Sequence, residues 1–267
     1  MSTQNRQLNS GASRGQVAGV PVSYLAVWAA LYALAGVLPA IPLVGGGTFG
    51  GQEFLLVIAG VVFGPYAGSL AAGVGGLVAS FIAPATAVFG LLSFYPHMIG
   101  AFAAGLLIRN TWRSRTFVLA MLFVMLVIWY VVPPFSTIGR PVLNAGAYWP
   151  MYLTAIPMVM ISPWAVRQIR TFDPKRTPLG LLVVGWAAYM VNHVAVCLGY
   201  SFLYPQGPDS WVFAFWSGIV PLQRIALIVI SAVLGTALLI GLHRAGIRFG
   251  AASGSALAEP ATERSEL

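Results

Sequence analysis

Charge is what this sequence has least of. Of its 267 residues only 7% are charged and six are acidic, whereas a soluble domain carries about 25% charged residues. One cysteine, Cys197, excludes a disulfide within the chain. Three histidines scattered over His97, His193 and His243 do not give the spacing of a metal site. HExxH, CxxC and Walker sequences are missing. The only acids toward the expected outer face are Glu53 and the loop residue Asp209, so no Ser/His/Asp set can be assembled there. These shortages argue against an enzyme, and no catalytic residue, metal site or cofactor is expected. They also leave no polar stretch long enough for a soluble domain.

What fills the chain is apolar: 58% hydrophobic residues and a mean hydropathy of +0.84. The expected fold is all-α, a polytopic membrane helical bundle of about eight (six to eight) transmembrane helices with both termini cytoplasmic. A span takes about 20 apolar residues. The apolar runs predict segments near 21–43, 52–64, 66–83, 88–108, 116–134, 148–168, 178–203 and 219–243. Residues 1–20 read as a polar cytoplasmic tail, 21–245 as one transmembrane domain, and 246–267 as a disordered cytoplasmic tail.

The net charge of +8 does not form a nucleic-acid patch. Arg6 and Arg14 precede the first segment. Arg109, Arg113 and Arg115 follow the fourth. Arg167, Arg170, Lys175 and Arg176 follow the sixth, and Arg244 and Arg248 follow the eighth. With alternating spans all these clusters fall on one side, and the opposite loops hold only Arg140. Such a bias marks the cytoplasmic side.

Within the spans, small residues recur every fourth place at Gly60, Gly64, Gly68, Ala72 and Gly76. Lipid gives apolar side chains no reward for burial, so close backbone approach along such a ridge holds helices together. The ridge predicts a tight pair of short helices turning at Gly64-Pro65, with Glu53 at its start. Ionisable groups near hydrocarbon are costly and mark function. Glu53, His97, Asn192 and Arg224 are therefore the candidate polar contacts to a solute, and Trp129, Tyr152 and Trp216 the candidate stacking residues. Glu53 and Arg224 lie at similar depth and are expected to be able to pair, either as a packing salt bridge or across a solute cavity. Pro96 is expected to kink its helix beside His97. Asn192 and His193 are adjacent, about 100° apart on a helix, so both cannot face one site squarely.

Ala29-Ala30-Leu31-Tyr32-Ala33, Pro39-Ala40-Ile41-Pro42 before a glycine loop, Glu53 through Gly64-Pro65-Tyr66-Ala67-Gly68, and Pro221-Leu222-Gln223-Arg224 together resemble the membrane substrate-binding (S) components of energy-coupling factor (ECF) vitamin transporters. The chain departs from that pattern in its eight segments, where family members have six, and in Gly75-Gly76-Leu77, where the third helix often carries an Asp. The resemblance implies a helical bundle that binds a small vitamin-like solute near the outer face of the cell membrane. It implies a lid in the loop after the first helix, here Gly46, Gly47 and Thr48. It implies that Ala26, Ala30 and Ala33 contact a transmembrane coupling subunit driven by cytoplasmic ABC ATPases. The alternative is a structural or assembly subunit of a larger membrane complex, in which the small-residue ridges pack against other subunits.

Overall fold

In the computed structural model, the described residues are 15–42, 48–144, 148–203 and 210–247; the side chains of 39–42, 48–49 and 210–218 stand outside that description. Thus Arg6, Arg14, Arg248, most of both expected tails, and Gly46 and Gly47 of the expected lid lie outside the described residues.

The chain opens with a two-residue hairpin, β1 (Gln16–Val17) against β2 (Val20–Pro21). The first helix, α1 (Val22–Ala35), has 14 residues. At about 1.5 Å per residue it reaches about 21 Å, short of the about 30 Å hydrocarbon core. The expected run to 43 is cut because Pro39 and Pro42 carry no backbone N–H for a helix. The chain instead forms β3 (Pro39–Pro42), paired antiparallel with β4 (Thr48–Gly50), and Leu38 accepts the Gly51 N–H at the base of this hairpin.

A 3-10 turn over Gly51–Leu55 carries Glu53 into α2 (Leu56–Ile82). At Gly64 the helix breaks, with φ 80 and ψ −178, a conformation essentially reserved for glycine. The two halves fold back on each other. A Cβ on Gly68 would lie 2.3 Å from the Ala59 carbonyl oxygen. The predicted turn is therefore present, and the glycine ridge works by close backbone approach.

Then come α3 (Phe94–Ile108), α4 (Trp112–Val131), α5 (Ser136–Asn144), α6 (Trp149–Leu153), α7 (Ala155–Ile169), α8 (Thr177–Leu203) and α9 (Ser210–Arg244). The short helix α5 stands in the connection between the fifth and sixth expected segments. Its Gly139 approaches the Trp129 carbonyl, and Arg140 donates to the carbonyls of Tyr130 and Val131. Pro96 lies in the first turn of α3, where a missing N–H is harmless, so it starts the helix rather than kinking it. The last helix begins at Ser210, nine residues ahead of the expected 219.

Among the described residues, five stretches are long and apolar enough to cross a membrane: Gly51–Ile82, Gly90–Ile108, Trp112–Val131, Thr177–Leu203 and Ile219–Arg244. The fold is an all-α membrane bundle with two small hairpins at its edge. Its passes alternate. Gly64 meets Gly105, Arg170 donates to the Ile108 carbonyl, and Phe172 stacks on His243, so these positions share one end. Gly36, Thr86, Trp129 and Ser201 belong to the opposite end, with the β3–β4 hairpin. The described basic residues other than Arg140 and the buried Arg224 gather at the first of these ends.

Candidate functional site

Toward the hairpin end, a strip of polar side chains runs through the otherwise apolar core. It begins at Glu53, which is 2% exposed. The His97 Nε2 lies 3.2 Å from the Glu53 Oε1. The other ring nitrogen, Nδ1, lies 2.7 Å from the Tyr32 hydroxyl. Three segments are thereby joined: α1, the 3-10 turn and α3. Tyr189 of α8 donates to the Glu53 carbonyl, and Ser231 of α9 donates to the carbonyl of Phe54. Backbone groups of a 3-10 turn are incompletely satisfied by the turn itself, and hydroxyls from two other helices take up that capacity.

One turn further along, Asn192 Nδ2 donates to the Pro96 carbonyl at 2.9 Å, and Arg224 Nη1 donates to Asn192 Oδ1 at 3.2 Å. The guanidinium also lies over the Tyr189 ring, 5.9 Å from its centroid. The expected direct pairing of Glu53 with Arg224 is replaced by Glu53–His97 and Arg224–Asn192. Equal depth does not set azimuth: His97 and Glu53 face each other across the α2–α3 contact, while Arg224 comes from the far side on α9.

Asn192 and His193 do diverge. The ring of His193 turns away toward Tyr152, whose hydroxyl lies 2.8 Å from Nδ1. Cys197 is 3.6 Å from the same hydroxyl. Tyr148 stands edge-on to His193 with ring centroids 5.2 Å apart. Trp129 donates from Nε1 to Ser201 at 2.9 Å and packs against Tyr130, Tyr148 and Tyr152. Trp129 and Tyr152 are thus engaged with their own chain, in a second, aromatic cluster beside the first. The Trp216 side chain lies outside the described residues.

Next to that cluster, between α4 and α6–α7, is a cavity of about 300 Å³ lined by Leu119, Leu122, Leu126, Tyr130 and Tyr152. Its walls are apolar, and its rim includes Phe123 and Leu153, both exposed on the outer side of the bundle. It is a lipid-side cleft and not a polar chamber.

The polar strip is not closed on itself. Among the described residues, Glu53 Oε2, Gln52 Oε1 and both amide atoms of Gln223 are buried without a hydrogen-bond partner. Buried polar atoms in native proteins are nearly always satisfied, so these side chains keep hydrogen-bonding capacity that their own chain does not fill. Among the described residues there is no group of three or more His, Cys, Asp or Glu able to hold a metal.

A family model described as "ECF-type riboflavin transporter, S component" matches residues 20–169, more than half of the chain. The chain belongs to this family. Neither the curated proteins nor the solved structures contain a match to it. For this S component the matched stretch runs from the second strand of the first hairpin to the end of α7. It includes Tyr32, Glu53, His97, Trp129 and Tyr152. Asn192, Gln223 and Arg224 stand on α8 and α9, past its end.

Glu53, His97, Asn192 and Arg224 stand out in the sequence because a charged or amide group is conspicuous in an apolar run, and the structure buries all four in one strip. Tyr32, Tyr189 and Ser231 do not stand out in the same way. Their signal was a hydroxyl at mid-span, which must find a partner when buried. On α1, Ala26 and Ala30 are exposed, while Ala33 is 3% exposed and turns into the bundle.

Proposed function

We propose that this S component is the solute-binding subunit of an ECF-type importer in the cytoplasmic membrane, and that its solute is riboflavin or a closely related flavin. The observation that carries this reading is the buried polar strip with unfilled hydrogen-bonding capacity, lying at the end of the bundle opposite the clustered basic residues of the helix ends and connections. The positive-inside bias makes that end the outer one. The subunit takes solute from outside and has no catalytic step of its own.

Riboflavin is an uncharged flat ring system with an imide edge and a hydroxylated chain. Glu53 Oε2 accepts hydrogen bonds, and the Gln223 amide both donates and accepts. A site of mostly apolar walls with a few placed polar groups suits such a molecule. The β3–β4 hairpin, with Thr48 at the start of β4, acts as the lid over the site. Ala26 and Ala30, both on the exposed face of α1, provide a flat patch for a transmembrane coupling subunit, with cytoplasmic ABC ATPases supplying the energy.

Binding is tested on the detergent-purified chain by quenching of flavin fluorescence. Wild type should bind riboflavin with a saturable quench, and Glu53→Gln should weaken binding by about tenfold or more, the loss expected from a charge-assisted hydrogen bond. A chain that quenches no flavin, retains no small molecule and co-purifies with other membrane proteins would instead support the structural-subunit reading.

A further inference from the structure

Gln223 is buried at 7% exposure, on the inward face of α9 that also carries Arg224, Leu227 and Ser231. Neither its amide oxygen nor its amide nitrogen has a partner among the described residues. An amide without partners in an apolar bundle is strongly disfavoured. Its neighbourhood is well fixed. The adjacent Arg224 holds Asn192, Asn192 holds the Pro96 carbonyl, and the next residue, His97, holds Glu53. Gln223 and Glu53 therefore stand at two ends of one bonded chain, each with open valences. The strip holds one acid, Glu53, and one arginine, Arg224, so its formal charges offset each other and favour an uncharged guest.

A primary amide presents a carbonyl and an N–H side by side. Its complement is a flat –CO–NH– edge, which returns both hydrogen bonds at once. We propose that Gln223 is a specificity-determining residue of the solute site: its amide pairs with the –CO–NH– edge of an uncharged ring, while Glu53 Oε2 accepts a further donor from the same solute. This rests on the solute-binding reading above. It adds that the edge-reading residue comes from α9, outside the matched part of the chain.

The test uses the full-length chain in detergent, with riboflavin and N3-methylriboflavin, which lacks the imide N–H. Wild type should prefer riboflavin by about tenfold to hundredfold, the range for leaving buried partners unpaired. Gln223→Met should lower riboflavin affinity until the two ligands bind alike. Gln223→Leu serves as a second variant, and an unchanged elution profile and unfolding midpoint show that each is folded. A variant that keeps the wild-type preference, or a wild type that does not discriminate, overturns the inference while leaving flavin binding standing. If wild type binds neither flavin, the flavin reading fails, and lumazine against 1,3-dimethyllumazine decides the edge reading. Lumazine binding that Gln223→Met abolishes supports it; equal binding, or none, overturns it.

Discussion

A tyrosine in the middle of an apolar helix must place its hydroxyl, and Tyr32 places it on His97. That bond fixes the ring that in turn holds Glu53. Tyr32→Phe removes one buried hydrogen bond and should cost about 1 kcal/mol of stability. It should also weaken flavin binding through a less constrained His97. A lowered thermal unfolding midpoint together with a raised Kd is the expected outcome; an unchanged Kd would confine Tyr32 to packing. At this scale the sequence shows which side chains are costly to bury but not which neighbour relieves each of them. Glu53 and Arg224 illustrate the gap. Their depth could be counted from the ends of the apolar runs, but their facing directions depend on how five segments pack.

Among the elements, the α2 hairpin was the most legible. Gly64-Pro65 in an apolar run has few alternatives to a sharp turn, and the ridge at Gly60 and Gly68 permits the two arms to touch. Gly64→Ala forces a side chain into φ 80 with ψ −178, at a cost of roughly 1–3 kcal/mol. Its unfolding midpoint in detergent should fall clearly below that of wild type. Gly60→Leu should be worse, because a Cβ there already lies 2.1 Å from the Ala101 carbonyl oxygen. Separation of α2 from α3 would appear as lost monodispersity on size-exclusion chromatography. The first segment was less legible. Hydropathy continues through Pro39-Ala40-Ile41-Pro42, but the prolines end the helix and a strand takes over. The short helix α5 was hidden because its polar composition, Ser136-Thr137-Ile138-Gly139-Arg140, reads as a connection.

For the molecule as a whole, charge placement carried most of the information. The alternation of passes seen in the contacts agrees with the arginine clusters, including the two helices that extend past the family match. Single-cysteine mapping checks this in a Cys197→Ser background. Arg140→Cys should react with a membrane-impermeant maleimide in intact cells, and Arg113→Cys only after permeabilisation. The reverse pattern would turn the bundle over and put the polar strip on the cytoplasmic side. What composition could not reveal was that α8 and α9 complete the strip instead of merely flanking it. That follows only from Tyr189, Asn192 and Ser231 reaching the matched segments.

The last helix is fastened at two levels. Arg224 holds it to Asn192 near its middle, and His243 stacks on Phe172 at its C-terminal end, with ring centroids 4.1 Å apart. Covalent continuity between α8 and α9 is therefore not what keeps them together. A gene split between their codons, expressed as two separate polypeptides, should still yield one complex that co-elutes and retains flavin.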